Sequence, residues 1–282
     1  MKKILFPTDF SEGASNAMQF LLQQFRYEPI EITLFHAYHL QIVDPFTHQE
    51  MISMMEKELR CSAEEKLEEM KHKVLKELPA AHVTCVTRLG LAVDEIIEYS
   101  RQNSIELIIM GTVGATGLSE LLIGSNTAKV IEHAHCPVLA IPLHYRSSRL
   151  PTEKLRVVYA CDFLDLDLYS FLQLNKFLIL CNGELHLIHI TDSREQLDSN
   201  FVKELTDFLR NTFNKLEIEL IAAPDVLQGI KEYAEKNPQQ VLAMTTHKRT
   251  FLDKLYSRSI TTKMAFHTQT PLLALHKYRY RA

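Results

Sequence analysis

Four of the chain's eight glycines fall within "GTVGATGLSELLIGSNTAK", residues 111–129, directly behind the apolar run "IELIIM". Glycine concentrates where a backbone must turn sharply or come close to another group. Gly111 and Gly114 would let the chain approach a bulky anion. Gly124 precedes "SNTAKVIEHAH", a predicted helix whose first N–H groups point back at the same place. Together they describe a phosphate cradle. The spacing, G-x2-G-x9-G-S from Gly111 through Gly114 to Gly124 and Ser125, is neither the Walker loop nor the dinucleotide fingerprint. It therefore implies neither Mg-ATPase machinery nor a nicotinamide site.

Other residue groups point to less. His133, His135 and Cys136 form an "HAHC" cluster, but it crosses from a helix end into a strand and has no second ligand pair. A histidine at a helix C-terminus is favoured by the macrodipole alone, so no metal site is expected. The chain contains no GxSxG elbow and no HExxH pair, and no catalytic residue stands out. The basic end "HKYRYRA" reads as a solvated tail rather than a nucleic-acid site.

The elements that must position the cradle are written twice. The 35 residues from Leu107 align without a gap to those from Val241, with 12 identities at an offset of 134. Nearer the start, "ILFPTDF" from Ile4 pairs with "VVYACDF" from Val157, and "LFHA" from Leu34 with "LIHI" from Leu187, both at an offset of 153. Such a repeat predicts two domains, residues 1–146 and 152–282, joined by the polar stretch around "HYRSSRLPTEK". In each copy, short apolar runs alternate with amphipathic helical segments. The runs "KKILFPTD", "EITLFHAY", "HVTCVTRLG", "IELIIMGT" and "PVLAIP" in the first copy predict strands buried on both faces. Ser11 is a plausible helix cap. The spacing of Ile52, Met55, Leu59, Ala63, Leu67, Met70, Val74 and Leu78 predicts one long helix with a packing face. Alternation of this kind means a parallel, doubly wound α/β sheet of five strands in each copy.

At 282 residues the chain can bury two ordinary cores, and its formal net charge of -4 gives no general pull toward nucleic acid or anionic membrane. The apolar start "MKKILF" stops at Pro7, too soon for a signal peptide, and no stretch approaches a membrane span. Five scattered cysteines without a CxxC pair fit reduced thiols. A cytoplasmic protein is the expectation.

With the glycine spacing, "FPTDFS", "LFHAY" and "HCPVLAIP" in order, and a weaker second copy behind them, the sequence resembles the universal stress protein family over nearly its whole length. The resemblance implies tandem Rossmann-like domains, with ATP bound where the glycine motif is complete. Adenosine would lie near Pro7, Thr8 and Asp9 and against Ala37, with Met110 and Gly111 flanking the ribose. Gly114, Gly124, Ser125 and Asn126 would hold the phosphates. Mg2+ or Mn2+ would accompany the triphosphate, although no dedicated metal cage is evident.

Across the 134 offset, Gly111 becomes Thr245, Gly114 becomes Lys248, Gly117 becomes Phe251 and Gly124 becomes Arg258. Side chains there would block close approach of phosphate, so one ATP per chain is expected. Lys248, Arg249 and Arg258 could hold a different anion, or Arg258 could fill vacated space. Asp9, His36, Ser125 and Lys129 persist as Asp162, His189, Ser259 and Lys263, which argues for a structural component in their roles. Ser125 could equally serve as a helix N-cap, and the two histidines read as network residues. The last strands, "PVLAIP" and "PLLALH", are expected to pair edge to edge within the chain, as the family's final strands do; a homodimer of chains is left open. The leading function is a nucleotide-responsive stress-response module. A slow ATPase or phosphotransferase and a scaffold that binds no nucleotide are the alternatives.

Overall fold

The computed structural model of the chain describes residues 2–26, 29–40, 48–112, 124–146, 153–163, 167–191, 203, 204, 206, 207, 209, 216–237, 240–246 and 269–277. The first half contains β1 (Lys3–Pro7), α1 (Glu12–Gln24), β2 (Glu31–Tyr38), α2 (Gln49–Glu77), β3 (His82–Leu89), α3 (Ala92–Gln102), β4 (Leu107–Gly111), α4 (Ser125–His133) and β5 (Val138–Ile141). The second half contains β6 (Leu155–Ala160), α5 (Leu168–Leu180), β7 (Gly183–Thr191), β8 (Glu217–Ala222), α6 (Val226–Lys236), β9 (Val241–Thr246) and β10 (Leu272–His276). The ten strands form one sheet in the order β3-β2-β1-β4-β5-β10-β9-β6-β7-β8. All neighbours within a half run parallel, and only β5 and β10 pair antiparallel. The last strands thus join the two halves, as expected from the sequence.

Successive strand residues point to opposite faces, so each strand feeds two cores. Ile4, Phe6, Leu34 and Leu139 pack with α1, α2 and α5 on one face. Leu5, Phe35, Ile108 and Ala140 pack with α3, α4 and α6 on the other. Parallel strands covered on both faces are apolar throughout, which is why "ILFP" and "LIIM" read as continuous runs.

Two expectations fail at the sheet's ends. β3 and β8, the outermost strands, are not buried on both faces; much of each is half-buried or exposed. An edge strand has a neighbour on one side only, so its helix cover is incomplete. The apolar stripe of α2 is likewise used only in part: Ala63, Leu67 and Val74 are buried, whereas Met55 and Leu59 are exposed. None of the residues 49–62 is buried, so the helix outruns the core that its sequence could cover.

Caps divide the helices. Ser11 caps α1 by accepting from the Ala14 N–H at 3.2 Å, and Asp167 and Asp225 cap α5 and α6 with their carboxylates. Ser125 is not the cap of α4. Gly124 occupies that position and Ser125 is the first helical residue, so α4 begins without a side-chain cap.

Candidate functional site

The chain leaves β1 toward β2 and β3, then returns to its other side as β4. A crevice opens at such a switch point beyond the carboxyl ends of the strands. The cleft there measures about 720 Å3, open mouth included. Pro7, Thr8 and Asp9 line it from the end of β1, Phe35 and Ala37 from β2, Met110 and Gly111 from β4, and Gly124 to Thr127 from the start of α4. Ala14 of α1 and Ala92 and Ile96 of α3 complete the wall. Nine of the ten positions proposed from the sequence therefore surround one cleft. The tenth, Gly114, lies outside the described residues, as does Gly117.

The exit from β1 is held by its own side chains. The Thr8 N–H donates to the Phe35 carbonyl at 2.8 Å, the Phe10 N–H to Thr8 Oγ1 at 3.0 Å, and the Ser11 N–H to Asp9 Oδ1 at 3.1 Å. Phe10 adopts a left-handed conformation with φ 61°, a strained state for an aromatic residue. Its ring packs on His36 with centroids 4.6 Å apart, and the Lys66 ammonium lies 5.3 Å from the ring centre. His36 donates from Nδ1 to the Thr8 carbonyl at 2.8 Å, since a carbonyl can only accept.

The second half repeats this device. His189 donates from Nδ1 to the Cys161 carbonyl at 3.1 Å, and its ring stacks on Phe163 at 4.6 Å. These pairs are related by the 153 offset, so both histidines tie the second strand to the end of the first whatever the neighbouring cleft contains.

Gly111 has a reason of its own to be glycine. A Cβ there would lie 2.6 Å from the carbonyl oxygen of Gly13 and 3.1 Å from the Ala14 nitrogen, both backbone atoms of α1. The close approach of helix to strand, and not only of strand to a ligand, excludes a side chain. In the second half, α5 begins at Leu168 and Thr245 is accommodated, its hydroxyl hydrogen-bonded to Tyr159 Oη at 2.7 Å. Lys248, Arg249, Phe251, Arg258, Ser259 and Lys263 lie outside the described residues.

Gly124 donates its N–H to the Thr112 carbonyl, and Thr127 Oγ1 donates to the Gly111 carbonyl at 2.8 Å. These two bonds aim the start of α4 at the end of β4. The opening amides of a helix have no intrahelical acceptor, and the residue at the cap of α4, Gly124, has no side chain to supply one. Partial positive charge is thereby presented toward the cleft. Thr127 was absent from the sequence-derived site. Its recurrence as Thr261 in the repeat agrees with the structural bond that it makes to Gly111 and does not mark it as a ligand residue. Phe35 and Ile96 were also missed, because an apolar wall residue looks like core in a sequence.

The HAHC residues separate. His133 is half-buried at the end of α4, while His135 Nδ1 lies 3.5 Å from Ser100 Oγ. Burial, aided by the Arg101 charge, lowers the His135 pKa. Burial pushes the Cys136 thiol up to about 12. Among the described residues no three His, Cys, Asp or Glu side chains converge as metal ligands, and no helix is long and apolar enough to cross a membrane.

The family model of the universal stress protein family matches residues 1–142. Universal stress protein MJ0531 of Methanocaldococcus jannaschii is 32% identical over 146 residues, spanning 50% of this chain and 81% of that protein. Universal stress protein MJ0577 of the same organism is 30% identical over 152 residues, 50% of this chain and 94% of that one. Two solved structures match both halves at once. A universal stress protein from Archaeoglobus fulgidus covers 98% of each chain with a TM-score of 0.71 at 19% identity. A putative universal stress protein from Pseudomonas aeruginosa covers 98% of this chain and 93% of its own, with a TM-score of 0.60 at 17% identity. Single-domain relatives that span half the chain, and structures that span all of it, leave one description: the chain belongs to the universal stress protein family, as a tandem member whose two five-strand halves share one sheet.

Proposed function

We propose that the N-terminal half, residues 1–146, binds ATP in the cleft between β1, β4 and α4, that the C-terminal half, residues 152–282, does not, and that the chain works as a nucleotide-responsive binding or signalling module in stress. The observation that carries this reading is the convergence on one cleft of nine residues that the resemblance names, with the start of α4, which has glycine at its cap, among its walls. Pro7, Thr8, Asp9 and Ala37 would take the adenosine, between the apolar surfaces of Phe35 and Ile96. Met110 and Gly111 would flank the ribose. The amides of Gly124, Ser125 and Asn126 would meet the phosphates, joined by the Ser125 hydroxyl and by Gly114 from the loop.

Asp9 is the only acidic side chain among the described lining residues. A Mg2+ or Mn2+ ion fits here as a companion held by phosphate oxygens and water, not as the occupant of a protein cage. Its contribution would be to neutralise phosphate charge. Apart from Asp9, whose carboxylate already accepts from the Ser11 N–H, the described lining holds no side chain of the kind that serves as a general base. Binding that alters what the protein contacts is therefore favoured over turnover.

Isothermal titration calorimetry with ATP tests the reading. One site per chain is expected in the wild type and none in Gly124→Arg, with the same melting temperature. Gly124 has φ -56° and ψ 146°, a conformation open to any residue, so the variant should fold. Two equivalent sites, or none in the wild type, would overturn the proposal.

A further inference from the structure

Phe10 stands in the left-handed region with φ 61°. There a Cβ crowds the following carbonyl oxygen, so glycine and asparagine visit it readily and bulky side chains do not. Among the described residues the other non-glycine positive φ angles belong to Ser104 and Asn182, small polar residues in the turns behind α3 and α5. Phe10 departs from that pattern. It lies between Asp9, which lines the cleft, and Ser11, which caps α1.

The repeat shows that the ring does not demand this backbone. Phe163 is the counterpart of Phe10 at the 153 offset. Its ring lies on His189 with centroids 4.6 Å apart, the distance that also separates Phe10 from His36. Yet Phe163 takes a right-handed 3-10 turn and is not among the residues with positive φ. What differs is the way into the next helix. The cap of α5, Asp167, comes four residues after Phe163, whereas the cap of α1, Ser11, follows Phe10 at once. A turn this abrupt takes a left-handed residue. It delivers two parts of the cleft wall. Thr8 Oγ1 accepts from the Phe10 N–H at 3.0 Å and Asp9 Oδ1 from the Ser11 N–H at 3.1 Å, which holds Asp9 at the rim. The helix that starts at once brings Ala14 into the lining.

We propose that Phe10 is a positioning residue of this cleft: its left-handed backbone sets Asp9 and the first turn of α1 against the nucleotide, and its ring keeps the backbone in that state. The role rests on the reading of the cleft as an ATP site. Phe10 itself lies outside the lining and acts only through its neighbours. Its ring is anchored away from the cleft, between His36 and the Lys66 ammonium 5.3 Å from the ring centre. His36 and the lining residue Ala37 point to opposite faces of the sheet. Strain held at one of two equivalent positions marks the half in which the turn has work to do. Alanine at position 10 removes the anchor and favours a right-handed backbone, so ATP must restore the turn, at a loss of about tenfold in affinity. Glycine removes the same anchor but takes the left-handed angle freely, so it should bind within about threefold of wild type.

Calorimetry with ATP and nucleotide-free thermal melts of the full chain test this on Phe10→Ala, Phe10→Gly, Phe163→Ala and Phe163→Gly. At position 10 the glycine variant should bind ATP more tightly than the alanine variant and melt at a higher temperature. At position 163 the melting order should reverse, because glycine at a right-handed position only loosens the unfolded chain, and ATP affinity should match wild type in both. A packing role alone would rank glycine no better than alanine at either position, and that result overturns the proposal. So does wild-type affinity in Phe10→Ala, or an equal loss of affinity in Phe10→Ala and Phe10→Gly. A wild type that binds ATP while its variants fall in the wrong order overturns this role alone; a wild type with no ATP affinity overturns the reading of the cleft and this role with it.

Discussion

Leu139 of β5 and Leu273 of β10 stand directly opposite one another in the antiparallel pair that joins the halves. They are also equivalent positions of the repeat, 134 residues apart and identical. Around them Val138 faces Ala274 and Ala140 faces Leu272, so Val138 meets the repeat counterpart of Ala140, and Ala140 that of Val138. A pseudo-two-fold axis therefore passes between the two leucines, and both side chains are fully buried in the same core.

Truncating either leucine should cost about 2–5 kcal/mol, the range for a large-to-small change in a core that cannot collapse. Because the two are in the same layer, Leu139→Ala and Leu273→Ala should be non-additive by about 0.5–3 kcal/mol. Urea unfolding of the two single variants and the double variant measures the coupling. Strict additivity would mean that the halves do not share a core at this point.

Gly111→Ala should behave unlike Gly124→Arg. The added methyl group meets the Gly13 carbonyl at 2.6 Å, so α1 must move off the sheet and the melting temperature should fall. Loss of ATP affinity in this variant would then be confounded with loss of packing. Thermal melts beside calorimetry separate the two glycines, and a Gly111→Ala protein as stable as wild type would remove the packing argument.

His36→Ala and His189→Ala should each destabilise the chain by about 1–2 kcal/mol, the cost of losing a partly buried hydrogen bond and leaving its acceptor unmet. Similar losses in both halves are expected of a structural role. A large effect of His36 on ATP affinity with no effect of either residue on stability would instead make it a ligand.

Glu106 ties the halves and responds to pH. Burial works against its ionised form, but the Lys2 N–H at 2.8 Å, the positive N-terminus, the Lys3 N–H and the Lys176 ammonium together hold its pKa below the ordinary glutamate value. A carboxylate whose folded pKa is lowered adds stability above its unfolded pKa and loses it as pH falls toward the folded one. The stability advantage of wild type over Glu106→Gln should therefore be present at neutral pH and fade below the ordinary glutamate value. An advantage that grew on acidification would contradict the assignment.

Thiol reactivity should rank by burial. Cys61 is exposed on α2, whereas burial pushes the Cys85 thiol up to about 11 and Cys136 to about 12, and raises that of Cys161 as well. Since the thiolate is the nucleophile, Ellman's reagent at pH 8 should label Cys61 first, the half-buried Cys85 and Cys161 more slowly, and the buried Cys136 only on unfolding. Rapid labelling of Cys136 would show that α4 opens in the native state.

Much of this was legible in the sequence because the signals are local. Strand runs, the Ser11 cap, the switch point behind Met110 and the duplication each depend on residues close together in the chain, or on a comparison of the chain with itself. The cleft was legible for the same reason: its polar walls come from strand ends and a helix start, where sequence marks the boundary.

What the sequence could not determine are the distances between elements. That Gly111 also packs against the Gly13 carbonyl is one such distance, since the contact joins residues 98 positions apart. The stripe on α2 was correctly helical, yet only the sheet's edge decides where its cover ends. On α5, Leu168, Leu172 and Ile179 are exposed while Leu174 and Leu178 are buried, a division among like residues that their types alone do not give. Periodicity reports which side chains share a face, and only the packed structure decides whether anything lies against that face.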